Sequence, residues 1–326
     1  MSPRRGRRTL LQTLALAPLT GAWSAQAQAQ TWPARPIRMV VPFPPGGGFD
    51  AVARPFAEKL STALKQPIVI DNKAGAGGNI GTAEVARAPA DGYTLLFANE
   101  ILATNPNVYK SVSFDPIKDF EPICMVATIP LALAVYPGLA AKNLSELVAL
   151  SARKPLTFGT PGVGTSPHLF GELLNLKTPL KLRHIPYRGS GPAITDAMGG
   201  QTDAVLTTAS SLAPQINSGK LRGIALLSER RSALLPDLPT LAEGGIKGLT
   251  HNVWYALMVP AGTPAAVVQS LREASAAVLR DADLTERLRK LGIDVSLGDD
   301  KAVTALIRSD LARWAGVVAD ASFPRE

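Results

Sequence analysis

Three stretches of the chain join a β-rich run to a Gly-rich turn and then to the start of a helical pattern, and turns of this kind can hold an anion. Ile37 to Phe43 leads into Pro44-Pro45-Gly46-Gly47-Gly48-Phe49-Asp50, and Leu156 to Thr160 leads into Pro161-Gly162-Val163-Gly164-Thr165-Ser166-Pro167-His168. The third is Tyr187-Arg188-Gly189-Ser190-Gly191-Pro192, ahead of the helical pattern that includes Ile194 and Met198. A helix start exposes unpaired N–H groups and the positive end of the macrodipole, and glycine lets a ligand approach the backbone with no Cβ in the way. Two such ends facing one another across a cleft would clamp a carboxylate. No Lys or Arg lies within either of the first two turns, so the grip would be dipolar and short-ranged. Pro167 suits the first helical position, which leaves Ser166 or Thr165 to cap. Asp50 is most simply an N-cap; facing the cleft together with Glu100, it would instead demand an ammonium group on the ligand. The competing structural explanation is that these glycines only make tight βα connections.

A rival chemistry also fits the first turn. Gly46-Gly47-Gly48-Phe49-Asp50-Ala51 satisfies G-x-G-x-x-A after a strand, and Asp71 follows about 20 residues on, which is the fingerprint of a dinucleotide site and hence of an NAD-dependent oxidoreductase. Against it, Pro42, Pro44 and Pro45 crowd a turn that should be tight, and the second Gly-rich turn has no role in such a site. Gly75-Ala76-Gly77-Gly78-Asn79-Ile80-Gly81 fails the same fingerprint at Ile80. There is no G-x-S-x-G elbow, phosphate-loop Gly-Lys-Ser/Thr or H-E-x-x-H pattern. His168, His184 and His251 are the only histidines and do not stand at metal-ligand spacing. Ser166 and His168 share one turn, but no third group is identifiable to orient a base, so His168 is expected to donate a hydrogen bond at the helix start. We therefore expect a binding protein with no catalytic residue, metal or cofactor.

The elements that would position these turns alternate. Pro67 to Asp71, Tyr93 to Ala98, Leu182 to Tyr187, Asp203 to Thr207 and Arg222 to Ser228 read as further strands, and Val52, Phe56, Leu60, Ala63 and Leu64 recur at helical spacing, as do Val267, Leu271, Ala274 and Val278. Thr263-Pro264 reads as an N-cap followed by the first helical position, Asn143 to Glu146 as a capping box, and Gly292 as a stop after Leu284, Leu288 and Leu291. Pro55 should delay or kink the helix opened at Asp50. The βαβα order implies an α/β fold with parallel sheets flanked by helices. Two longer apolar runs, Val126 to Tyr136 and Val253 to Val259, read as crossovers between two lobes: residues 30–128 with 258–326, and residues 129–257. The ligand would then lie between the lobes, at the carboxyl ends of the strands.

Residues 1–29 have the layout of a secretory leader. Arg4, Arg5, Arg7 and Arg8 precede an apolar run from Leu10 to Leu19, too short to span a bilayer, and Ala-x-Ala sites end at Ala27 and Ala29. Arg7-Arg8-Thr9-Leu10-Leu11 resembles a twin-arginine signal. The leader holds four of the 34 Lys and Arg and none of the Asp and Glu, so its removal takes the formal net charge from +8 to +4. With 6% aromatic residues and no basic cluster after residue 30, nucleic acid is not an expected partner. Cys124, the single cysteine, lies between Ile123 and Met125 and reads as core.

Several motifs in order carry a family resemblance. Pro36-Ile37-Arg38-Met39-Val40-Val41-Pro42-Phe43-Pro44-Pro45-Gly46-Gly47, Gly75 to Gly81, Asp91-Gly92-Tyr93-Thr94-Leu95-Leu96, Phe114-Asp115-Pro116, His184-Ile185-Pro186-Tyr187-Arg188-Gly189, Leu235-Pro236-Asp237-Leu238-Pro239-Thr240 and Pro260-Ala261-Gly262-Thr263-Pro264 resemble the Bug family, the solute-binding receptors of tripartite tricarboxylate transporters. The resemblance implies a two-lobed type II periplasmic-binding-protein fold, capture of a small carboxylate in the periplasm, and two membrane subunits as partners of a monomeric receptor. It implies ligand contacts from Pro45, Gly46, Gly47, Gly48 and Asp50 in one lobe and from Gly164, Thr165, Ser166, His168, Tyr187 and Gly189 in the other. Asn79, Asn99 and Glu100 would line the cleft wall. Two positions depart from the pattern: Leu206-Thr207-Thr208 stands where relatives commonly have Phe-Asp, so Thr207 replaces a polar contact of another kind, and Glu100 stands where a small hydroxyl residue is expected.

Overall fold

Runs of apolar residues without alternation produce strands buried on both faces, which is what a parallel sheet covered by helices requires. In β1 (Ile37–Val41) every residue but Arg38 is buried. The computed structural model describes residues 32–46, 48–321, 323 and 325, so the leader and Gly47 lie outside the described residues. After β1 come α1 (Gly48–Leu64), β2 (Ile68–Asn72), α2 (Asn79–Ala86), β3 (Thr94–Asn99), α3 (Ile101–Val108) and the 16-residue β4 (Phe120–Val135). The chain continues with α4 (Leu144–Arg153), β5 (Leu156–Thr160), α5 (Ser166–Lys177), β6 (Leu182–Pro186), α6 (Ser190–Met198), β7 (Ala204–Thr208), α7 (Ala209–Asn217) and β8 (Arg222–Leu226). It ends with β9 (Asn252–Pro260), α8 (Ala265–Val278), α9 (Ala282–Arg289), β10 (Asp294–Val295) and α10 (Asp300–Asp320).

The strands run in the order β2-β1-β3-β9-β4-β7-β5-β6, with β10 and β8 also paired to β4. β1 is parallel to β2 and β3, and β5 is parallel to β6 and β7, while β9 and β4 run antiparallel to their neighbours. β4 belongs to both halves of this fold. From Phe120 to Pro130 it pairs with β9, and from Leu131 to Val135 with β7. Pro130, which has no N–H to give to a ladder, stands at the changeover, where a strand must leave one partner for another. β9, expected to be the second crossover, pairs along its whole length with β4 and over Tyr255–Met258 with β3.

Local signals were partly obeyed. The Asn143 side chain accepts the Glu146 N–H at 3.0 Å, as a capping box requires, but Glu146 reaches back to the Lys142 N–H rather than to that of Asn143. Helix α8 begins one residue later than expected: Pro264 is its N-cap, and the Thr263 hydroxyl donates to the Pro260 carbonyl. Pro55 neither delays nor ends α1, which continues to Leu64. Gly292 follows α9 at φ +70°, beyond buried Leu284 and Leu288, whereas Leu291 is exposed. Cys124 is buried, and burial pushes its thiol up to about 12, so it is inert core.

Candidate functional site

The β1–α1 turn is braced from within. The Gly46 N–H donates to Asp50 Oδ2 at 2.6 Å, and Asp50 also accepts from Arg54 Nε at 3.0 Å and from Asn72 Nδ2 at 3.1 Å. Burial opposes the charge on Asp50, but the Gly46 N–H, the Asn72 amide and the Arg54 guanidinium outweigh it and hold the carboxyl below its ordinary value. Because α1 opens at Gly48, Asp50 lies inside its first turn and is not the N-cap. It fastens the turn. Pro45, Gly46 and Gly48 are exposed on the outer side of this brace.

The β5–α5 turn has the same self-contained character. Gly164 adopts φ +71°, and a Cβ there would lie 2.5 Å from Val108 at the end of α3, so only glycine fits. Its N–H donates to His168 Nδ1 at 3.2 Å, the reverse of the expected role: His168 accepts and secures the turn. Thr165 is the N-cap of α5, Ser166 follows, and Pro167 takes the second helical position. Neither hydroxyl caps the helix. Thr165 Oγ1 donates to the Gly162 carbonyl at 2.8 Å, and Ser166 Oγ donates to Glu100 Oε1 at 3.1 Å. His168 stacks on His184 with ring centroids 3.4 Å apart, and His184 Nε2 lies 2.6 Å from Thr160 Oγ1. Burial pushes both imidazoles down, His168 to about 3 with a further contribution from its neighbour, and His184 to about 4, so both are neutral.

The third turn packs against the second. The Gly189 N–H donates to the Pro161 carbonyl at 2.8 Å, Gly189 takes φ +111° as the N-cap of α6, and Tyr187 Oη donates to Asp196 at 2.8 Å. Ser190 Oγ and Thr207 Oγ1 are 2.8 Å apart, so Thr207, buried opposite Ala132 on β4, is satisfied by the turn beside it.

Between the first two turns stands the end of β3. The Asn99 side chain accepts the Ile101 N–H at 3.1 Å and starts α3, while Glu100, 6% exposed, reaches Ser166. Tyr255 on β9 pairs with Asn99, and its hydroxyl lies 3.8 Å from where a Cβ on Gly48 would stand. Gly48, Tyr255, the Asn99-Glu100 corner and Ser166 thus form a continuous path from α1 to α5. Burial, the largest influence, pushes the Glu100 carboxyl up to about 8; the Ser166 hydroxyl and the main-chain N–H groups of Glu100 and Trp254 pull the other way, and the charge of Asp310 on α10 adds to the rise.

A family model for the tripartite tricarboxylate transporter family receptor matches residues 52–322. The chain belongs to this receptor family. Protein BugT of Bordetella pertussis is 36% identical over 313 residues, covering 95% of this chain and 96% of its own. A solved R. palustris protein with adipate has a TM-score of 0.80 at 33% identity, over 90% of this chain and 100% of its own. MatC from Rhodopseudomonas palustris, solved with bound malate, has a TM-score of 0.76 at 30% identity, over 88% of this chain and 100% of its own. The family is one of receptors, not enzymes, which removes the oxidoreductase alternative. Its acidic marker is spent as well, since Asp71 pairs with Arg38 at 3.1 Å and Lys73 at 3.6 Å.

In this family member not all the expected residues meet. Asn79 Oδ1 accepts from Asn105 Nδ2 at 2.8 Å, and Asn79 lines a cavity of about 760 Å3 with Arg38, Glu84, Arg87 and Tyr109, apart from Gly48. Gly48 borders a different cavity, of about 420 Å3, whose other walls include Ala51, Ile129, Ser210, Ser211 and Lys290. Sequence reasoning passed over Ser210 and Ser211, although Thr208-Ala209-Ser210-Ser211 after a strand is a hydroxyl-rich helix start of the type already noted. It also passed over Tyr255 and Asp310. Asp310 could have been found as the acidic break in an otherwise apolar stripe, Val303, Ile307, Trp314 and Val317, at helical spacing.

Proposed function

We propose that this chain, once its leader is removed, is a monomeric periplasmic receptor that captures a small di- or tricarboxylate between its two halves and presents it to membrane subunits of a secondary transporter. The observation that carries the proposal is the path from Gly48 through Tyr255 and Glu100 to Ser166, which joins the starts of α1 and α5 across the fold. The relatives solved with adipate and malate bring acids of this class to the same architecture. No helix among the described residues is long and apolar enough to cross a membrane. The N–H groups of Gly46 and Gly164 are held by Asp50 and His168, so the anion's donors are the next ones along, at Gly48, Phe49, Thr165 and Ser166. Residues 45, 46, 48–50, 164–168, 187–189 and 207 supply the opposed walls, and the halves close by bending near Pro130.

A thermal-shift panel of mono-, di- and tricarboxylates, amino acids, and the amides of each tests this. A ligand at a hundredfold excess over Kd stabilises the native state by about 2.7 kcal/mol, which raises the melting temperature by several degrees. Dicarboxylates should raise it and their neutral amides should not. If amides or sugars shift the melting point and no carboxylate does, the proposal fails. Intact-mass measurement on exported protein, expected to start near residue 28 or 30, tests the leader separately.

A further inference from the structure

The cavity of about 420 Å3 beside Gly48 lies where the two halves meet, with α1 and the end of α9 on one half and α7 on the other. Gly292, left-handed at φ +70°, packs so tightly there that a Cβ on it would overlap the Leu234 side chain and stand 3.6 Å from the Ser210 Cβ. Most of the wall is hydrocarbon, supplied by Ile129, Leu234, Leu291 and Ile293. Leu291 continues the stripe of Leu284 and Leu288, which are fully buried, yet it is 46% exposed: α9 ends at Arg289, and Leu291 lines the cavity instead of the core. A single exposed leucine is ordinary, but four large apolar side chains around one concave space mark a place for an apolar group. The polar groups of the wall are already engaged. Ser210 Oγ donates to Thr208 Oγ1 at 3.2 Å, Ser211 Oγ lies 2.8 Å from the same oxygen, and Asn217 Nδ2 donates to the Leu234 carbonyl at 3.5 Å. Among the described residues no acid lines the cavity, and Lys290 is its one charge. Glu286, 3.8 Å from the Lys290 ammonium, is held at 2.8 and 3.0 Å by Arg289, so Lys290 is only loosely paired.

We propose that this cavity is a specificity pocket that takes the hydrocarbon body of the bound acid, so that the receptor selects long, unsubstituted α,ω-dicarboxylates over short or hydroxylated ones. This rests on the carboxylate-capture reading above, which places one carboxylate at the Gly48 N–H. Gly48 also borders the cavity, so the chain that follows that carboxylate enters it. The second carboxylate meets Lys290 in a charge-assisted contact. A methylene gains by leaving water for this wall. A hydroxyl on the chain loses its water against Ile129, Leu234 and Leu291 and finds the neighbouring hydroxyls and amide already bonded, so it counts against binding.

Titration calorimetry with succinate, glutarate, adipate, pimelate and suberate, and with malate, tests this on the wild type, Leu291→Ser and Lys290→Gln. Wild-type affinity should rise about threefold with each added methylene until the cavity is filled, and malate should bind no more tightly than succinate. Leu291 is exposed enough for Leu291→Ser to leave the fold intact, which circular dichroism checks for both variants. That substitution should weaken the long acids about tenfold and leave succinate within about twofold. Lys290→Gln should cut the preference for suberate over octanoate, which has the same chain with one acid group, by about threefold. Affinity that is flat along the series, binding confined to short or hydroxylated acids, or a preference that survives either substitution undiminished overturns the inference while carboxylate capture stands. If none of these acids, nor citrate, aspartate or benzoate, binds the folded wild type, carboxylate capture itself falls and this inference with it.

Discussion

Replacing Glu100 by Gln in the ligand-free protein should make its stability less sensitive to alkaline pH. The carboxyl is raised from 4.5 to about 8 in the folded chain. A group with a raised folded-state pKa contributes stability that is fully present below its unfolded pKa and is lost as pH rises through the folded one. The loss for Glu100 therefore begins near pH 4.5 and is complete a little above pH 8. At 1.36 kcal/mol per pH unit, the part falling between pH 6 and pH 9 amounts to about 3 kcal/mol, an upper figure because water drawn to a buried charge relieves part of it. For a chain of this size that is a drop in melting temperature of roughly 6 to 10 °C relative to Glu100→Gln over the same range. Differential scanning calorimetry of both proteins at half-unit steps measures the difference between the two curves, in which surface groups common to both cancel. Asp310→Asn should shrink the effect, because the charge of Asp310 is one of the influences that raise the Glu100 carboxyl. A difference in melting temperature that stays constant from pH 6 to pH 9 would refute the claim that Glu100 is a buried acid carrying its proton.

Three further outcomes follow from the same geometry. His168, His184 and His251 are all pushed down by burial, to about 3, 4 and 3, so no histidine resonance should titrate by NMR between pH 8 and pH 5, and acid should destabilise the fold as pH drops from 6.5 toward 4; a midpoint near 6.5 for any of them would contradict their packing. Gly164→Ala combines a left-handed backbone with a contact to Val108 at 2.5 Å and should cost about 2 kcal/mol or more by urea denaturation, whereas Gly189→Ala, with open space around its Cβ, should show the backbone strain alone. Trp254→Phe removes the donor to Asp310 Oδ2 and should cost about 1–3 kcal/mol, and Asp310→Asn placed on top of it should cost less than it does in the wild type.

Much was legible in the sequence because the controlling physics is local. A short β-branched and apolar run such as Ile37–Val41, broken only by Arg38 and bounded by prolines, reads as a strand buried on both faces, Asn143 three residues before Glu146 can cap a helix without help, and glycine at positions 46, 164 and 189 marks a backbone that turns where other residues are strained. The strand-turn-helix units were therefore visible, and so was the family that carries them. What no local rule could supply was who answers whom across the fold. The first turn looked as though it offered the Gly46 N–H and Asp50 to a ligand, yet they bond each other; His168 looked like a donor and is the acceptor that secures Gly164. Such groups choose partners by distance in space, and an N–H satisfied four residues away has nothing left for a ligand. Glu100 marks the boundary most clearly. The sequence alone determined that an acid stands where a small hydroxyl residue was expected, but only the packing of β9, α5 and α10 around it decided that it is buried without a cation, and hence that it holds its proton near neutral pH.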